Sequence, residues 1–234
     1  MHERHGLKRS LDSVYYWLGK LGGALKVPCP VHAKKNAEQA ADFKEHLYQK
    51  LQALDLPSDR KVRVWIQDQA RYGRHTVRRR CWGCAASARS EAGQKYQWGY
   101  VYGALDVVSG EAQFCFLPSV SLELTYTFIE QIVAADPEAE HVIIWDQAGF
   151  HHADGDPRLP ERVHLLPLPS YSPELNPTEK LWDIIKDHIA NRVFQTREDI
   201  EAALSNALEP YWSSASPVLS LVGDGWLHTQ ANGT

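Results

Sequence analysis

Three observations predict an α/β fold, with a mixed sheet flanked by helices. Between residues 62 and 212, apolar runs of strand length alternate with stretches of helical periodicity. Two strand-like runs, Gln97 to Val107 and Glu111 to Leu117, are joined by Ser109-Gly110, a hairpin signal. A proline-rich stretch from Leu166 then leads into one strongly amphipathic helix, the element on which the other motifs converge.

Taken in order, Ser10 to Leu21 predicts a helix with Leu11, Val14, Tyr15, Leu18 and Leu21 on one face and Gly22-Gly23 as its stop. Leu25 to Lys35 carries Pro28, Pro30 and several cations and reads as an extended linker. Asn36 to Leu54 predicts a second helix whose stripe is Ala40, Phe43, Leu47, Leu51 and Leu54. Val62, Val64 and Ile66 alternate up to Asp68, and Val142 to Trp145 run up to Asp146, so each aspartate is read as ending a strand. Leu122 to Ala135 predicts a helix, and Val163 to Leu166 a short strand. Pro167, Pro169, Pro173 and Pro177 hold the next stretch extended and delay the helix until Asn176, with Pro177 in its first turn. Leu181, Ile184, Ile185 and Ile189 form its buried stripe. Arg197 to Leu208 predicts another helix, while Ser213 to Thr234 carries weak signals and reads as a partly disordered tail.

At 234 residues and 44% hydrophobic content the chain is long enough for one substantial core. No apolar run approaches the roughly 20 residues of a membrane span, and the charged start is unlike a signal peptide, so a cytoplasmic protein is expected. Cys29, Cys81, Cys84 and Cys115 are too few and scattered for a disulfide framework. The single CxxC pair, Cys81 and Cys84, lacks the second pair that would argue for zinc. The net charge of -4 is unlike that of a nucleic-acid binder, yet it is unevenly placed: residues 1 to 61 are net basic and the remainder strongly acidic. The basic end suits phosphate contacts, and the acidic remainder suits a metal site.

Loops beyond strand ends are where open α/β sheets bind ligands, so Asp68, Asp146 and the helix-start Glu179 are candidates to converge. Each has a plainer reading. A terminal aspartate also suits a turn, and Glu179, three residues after Asn176, also completes a capping box. Spacing alone equally admits Asp183, one turn after Glu179.

The segments QDQARYGRH, WDQAGFHH and LPLPSYSPELNPTEKLW resemble the three acidic motifs of DDE transposases, in the insertion-sequence branch of the mariner superfamily. The resemblance spans about Val62 to Val193, with 32 residues between Asp146 and Glu179. Gln69 and Gln147 stand where many relatives carry a second acid and an asparagine, departures outside the triad. The resemblance implies a ribonuclease H-like sheet preceded by a partial helix-turn-helix region. The division it implies is 1–35 remnant and linker, 36–61 connecting helix, 62–212 catalytic domain and 213–234 tail. It also implies an N-terminal truncation, the chain starting inside the paired helix-turn-helix region of full-length relatives.

On the same resemblance Asp68, Asp146 and Glu179 are the catalytic and metal-binding acids, holding two Mg²⁺ or Mn²⁺ ions. The implied activity is metal-dependent cleavage and strand transfer of double-stranded DNA at transposon ends, by a homodimer associated with the nucleoid. Arg71, Arg78, Arg79 and Arg80 are candidates to line the DNA path, or are a solvated charge run. His151, with His152 beside it, is a candidate phosphate contact, or a solvated loop histidine. Trp65, Trp145 and Trp182, close to the three acids, read as core packing rather than base stacking. Two other functions fit parts of the pattern: a catalytically silent remnant that binds DNA or dimerises as a regulator, and a metal-free glycosidase using paired carboxylates.

Overall fold

The structure is a computed structural model that describes residues 10–23, 35–80, 96–146, 156–222 and 226–232. Two compact units divide at residues 33 and 34. In the first, α1 (Leu11–Lys20) forms as the periodicity predicts, and the Ser10 hydroxyl accepts from the Ser13 N–H to cap it.

The second unit begins with α2 (Ala37–Gln52), capped by Asn36, whose buried residues Ala40, Phe43, Leu47 and Leu51 are the predicted stripe. A five-stranded sheet follows in the order β3-β2-β1-β4-β5. Its strands are β1 (Val62–Gly73), β2 (Trp98–Asp106), β3 (Ala112–Leu117), β4 (Glu140–Trp145) and β5 (Val163–Pro167). The first three are antiparallel neighbours, and β4 and β5 run parallel to β1. Gly110, at φ 76, makes the β2–β3 turn at the predicted place. Between β3 and β4 lies α3 (Leu122–Ala135), and after β5 come α4 (Thr178–Ile189), α5 (Arg197–Ser213), α6 (Ala215–Val222) and α7 (Trp226–Asn232).

Each sheet face has its own core, because alternate strand residues point to opposite sides. On one face Val64, Ile66, Val142 and Ile144 pack with Phe43 and Leu47 of α2, Leu181, Trp182 and Ile185 of α4, and Leu204 of α5. On the other Trp65, Tyr102, Ile143 and Trp145 meet Phe128, Ile129 and Ile132 of α3. Trp65 and Trp145 are core residues, as predicted. The Trp65 indole N–H donates to Nδ1 of buried His141, and the other ring nitrogen of His141 bonds the Asp136 carbonyl, so the ring is neutral.

Several expectations need correcting. Asp68 does not end its strand, because β1 continues to Gly73 by pairing with β2 along its whole second half. Only the parallel pairing with β4 stops short, at Ile66. Ile184 is 38% exposed, and Trp182 takes its place on the buried stripe of α4. The segment read as a partly disordered tail contains α6 and α7, whose Val218, Val222 and Leu227 are buried in the first core. Helix α2 shares that core with the sheet.

Candidate active site

The sheet register brings two of the acids together. Ile66 is level with Ile144 across the parallel β1–β4 pair, so two residues further on Asp68 comes level with Asp146. Both continue the alternation of Val64, Ile66 and Val142, Ile144, which places them on the α4 face. The third acid arrives from the helix. After β5 the Leu168 N–H donates to the Trp145 carbonyl at 2.7 Å, and a 3-10 turn at Pro173–Leu175 leads into α4. Asp68, Asp146 and Glu179 line one cavity of about 310 Å³, with Leu168, Pro169 and Asn176 in its walls.

The capping question is answered by the hydrogen bonds. Asn176 Oδ1 accepts from the Thr178 N–H at 3.1 Å and from the Thr178 hydroxyl at 2.5 Å, so Asn176 does serve the helix start. Its own N–H, which a capping glutamate would receive, donates to the Pro173 carbonyl at 3.0 Å. Glu179 faces the cavity instead. The helix proper begins at Thr178, two residues later than the spacing predicts. Asp183, the rival acid, lies 3.4 Å from Arg79 and is absent from the cavity lining.

Asp68 is held by two side chains of α4. The Trp182 indole N–H donates to its Oδ2 at 2.9 Å, and the Thr178 hydroxyl lies 3.2 Å from the same oxygen. That hydroxyl has one proton to divide between Asp68 and Asn176. Burial, then the charge of Glu179, push the Asp68 carboxyl up to about 6; the Trp182 and Gln69 N–H groups oppose the rise. Glu179 is also raised, chiefly by desolvation, with Lys186 opposing and Asp183 and Asp146 adding to the shift. Opposite Asp68 on β2 is Gly103, where a Cβ would stand 2.6 Å from the Trp182 ring. A glycine is required there because the indole lies against the strand.

Trp182, Thr178 and Gly103 were not singled out by chemistry in the sequence. Their signal is spacing: Thr178 and Trp182 are four apart on the helix that carries Glu179, and so share a face. Of the candidate DNA contacts, Arg71 lies 4.4 Å over the Trp98 ring. Arg79 pairs with Asp187 at 2.7 Å as well as with Asp183. Asn191 latches this segment to the end of α4, its Oδ1 accepting from the Arg79 N–H. Arg78 and Arg80 are exposed, and none of the four arginines lines the acidic cavity. His151, His152, Cys81 and Cys84 lie outside the described residues.

The cavity's donor set fits hard divalent cations. Its described lining holds three carboxylates and neither Lys nor Arg, and oxygen-only ligands select Mg²⁺ or Mn²⁺. Among the described residues no group of three His, Cys, Asp or Glu is placed to hold one metal ion.

The sequence profile of the DDE superfamily endonucleases matches residues 63–201, a stretch containing all three acids. The chain belongs to that family. "Uncharacterized protein y4pE/y4sA" of Sinorhizobium fredii (strain NBRC 101917 / NGR234) is 31% identical over 137 residues, 56% of this chain and 98% of the relative. The pre-cleavage Mos1 transpososome superposes with a TM-score of 0.61 at 15% identity, covering 94% of this chain and 70% of that one. The Mos1 mariner paired end complex with Mn gives 0.58 at 16% identity, covering 95% and 70%. Those likenesses show the fold, the ribonuclease H-like sheet of transposase catalytic domains. The chain is thus a DDE superfamily endonuclease by family, with the fold of these transposase structures.

Proposed function

We propose that the chain cuts and joins DNA with divalent cations, Mg²⁺ or Mn²⁺, held by Asp68, Asp146 and Glu179. The supporting observation is the acidic cavity itself, where three carboxylates from separate elements converge and no Lys or Arg stands in the described lining. When bound, two such ions activate an attacking oxygen and stabilise the leaving oxygen of an in-line displacement at phosphorus. The chain's own groups do the positioning. Asp68 is held by Trp182 and Thr178, Asp146 follows β4 at the same level, and Glu179 is carried on the first turn of α4. Asp68 and Asp146 act as the principal ligands, and Glu179 as the third, beside the nucleophile. Water serves as nucleophile for cleavage, and a freed 3′-hydroxyl for joining.

The substrate is double-stranded DNA, the ends of an insertion sequence and its target, and cutting two ends together calls for a homodimer. No helix among the described residues is long and apolar enough to cross a membrane, and a cytoplasmic, nucleoid-associated protein fits this activity. The deciding experiment is calorimetric titration of Mn²⁺ into wild type and Asp146→Ala, with a nicking assay on labelled duplex. Binding and nicking in wild type, both lost in the variant, are expected. No metal binding by folded wild type would refute the proposal and leave the silent regulatory remnant.

A further inference from the structure

Tyr171 lines the cavity wall in a backbone conformation uncommon for an aromatic residue. The segment 168–176 is anchored on both sides of it: Leu168, Ser172, Leu175 and Asn176 are all buried. Between those anchors Tyr171 adopts φ 58, in the left-handed region. Glycine or asparagine makes that turn at lower cost, and a bulky side chain there is uncommon. Among the described residues the other non-glycine residues with positive φ are Asp55, Arg162 and Asn191; two of these are of the tolerant Asn and Asp type, and none is aromatic. The strained turn does not serve to bury the ring, which is 47% exposed and belongs to neither apolar core. It does place Tyr171 on the lining of the cavity that holds Asp68, Asp146 and Glu179. Strain kept at a functional cavity is explained when the side chain it presents has work there.

The chemistry of the wall says what that work is. Carboxylates with their cations address phosphate oxygens, and nothing in that contact grips the apolar part of a nucleotide. A flat phenol ring on the same rim supplies such a surface, and aromatic stacking on a base is tolerant of sequence. We propose that Tyr171 is a DNA-contacting residue whose ring stacks on the nucleotide adjoining the scissile phosphate. This rests on the cleavage activity proposed above and assigns a substrate contact within that site. The contact fixes the strand while the acids act on the phosphate.

The test compares wild type, Tyr171→Phe and Tyr171→Asn. Asparagine keeps the left-handed turn and removes the ring. Nicking kinetics in Mn²⁺, duplex affinity by fluorescence anisotropy in Ca²⁺, Mn²⁺ affinity and melting temperature are measured for each. Tyr171→Asn is expected to raise KM and the duplex Kd about tenfold, the loss of one aromatic–base stack. Its Mn²⁺ affinity should be unchanged and its melting temperature equal or higher, while Tyr171→Phe stays near wild type. Once the cut is mapped, an abasic residue beside it should weaken wild type but not Tyr171→Asn. Wild-type KM and duplex Kd in Tyr171→Asn would overturn the proposal, as would equal losses in the phenylalanine variant, which would point to the hydroxyl. Weaker duplex binding by Tyr171→Asn, with no nicking by any form, would keep the contact and sink the cleavage reading instead.

Discussion

Trp182→Phe isolates one hydrogen bond. The indole N–H donates to Asp68 Oδ2 at 2.9 Å, and phenylalanine keeps most of the buried ring while removing that donor. A hydrogen bond to a charged partner is worth about 1.5–3 kcal/mol, and about 2 kcal/mol corresponds to about 1.5 pH units. The Asp68 carboxyl, already pushed up to about 6, then moves to roughly 7.5. At pH 7 its ionised fraction falls from about nine-tenths to about one-quarter, so affinity for a cation that needs the carboxylate falls about fourfold. The assay is Mn²⁺ calorimetry at pH 6.5, 7 and 8. The deficit should widen at the lowest pH and nearly close at the highest, because both proteins are then mostly ionised. Loss of ring volume also lowers the melting temperature, but that effect has no reason to follow the ionisation of Asp68. A deficit constant across the three pH values, or none at all, would refute the assignment of the indole as the group that holds Asp68 ionised.

Three further predictions follow from the same site. Asp68→Asn should stabilise the metal-free protein at pH 7 by up to about 3 kcal/mol, the worth of a carboxyl raised from 3.8 to about 6. The gain should shrink as pH falls, since the native carboxyl takes up its proton between about 6 and 3.8 and then costs nothing; denaturant melts at pH 7 and 4 measure it. Gly103→Ala sets a Cβ 2.6 Å from the Trp182 ring, so it should lower stability by about 1–3 kcal/mol and weaken Mn²⁺ binding together, whereas wild-type Mn²⁺ affinity would show that the ring shifts without moving Asp68. Glu179→Gln should leave stability within about 0.5 kcal/mol of wild type, because glutamine would also keep any cap, while nicking is lost; near-normal nicking would remove Glu179 from the metal-binding acids.

What the sequence determined by itself is the set of local facts. Periodicity and end signals located α2, α3, the β2–β3 hairpin and the start of α5 to within a residue or two, since each is governed by near neighbours along the chain. The acids were legible through their motifs, and the proline run placed the start of α4 two residues early, at Asn176 rather than Thr178. Tertiary structure decided the rest. Whether β1 stops at Asp68 depends on β2 pairing alongside it, and whether Asp68 meets Asp146 depends on the register with β4. Neither partner is near in sequence. The choice between Glu179 and Asp183 turned on which one faces the cavity and which meets Arg79, more than 100 residues away. The same holds for Trp182, which the sequence reads as core packing rather than base stacking. Its ring is core, and only the approach of β1 to α4 puts its one polar atom against a carboxylate. Helices α6 and α7 carry weak local signals because their stability comes from packing against a core that the chain completes elsewhere.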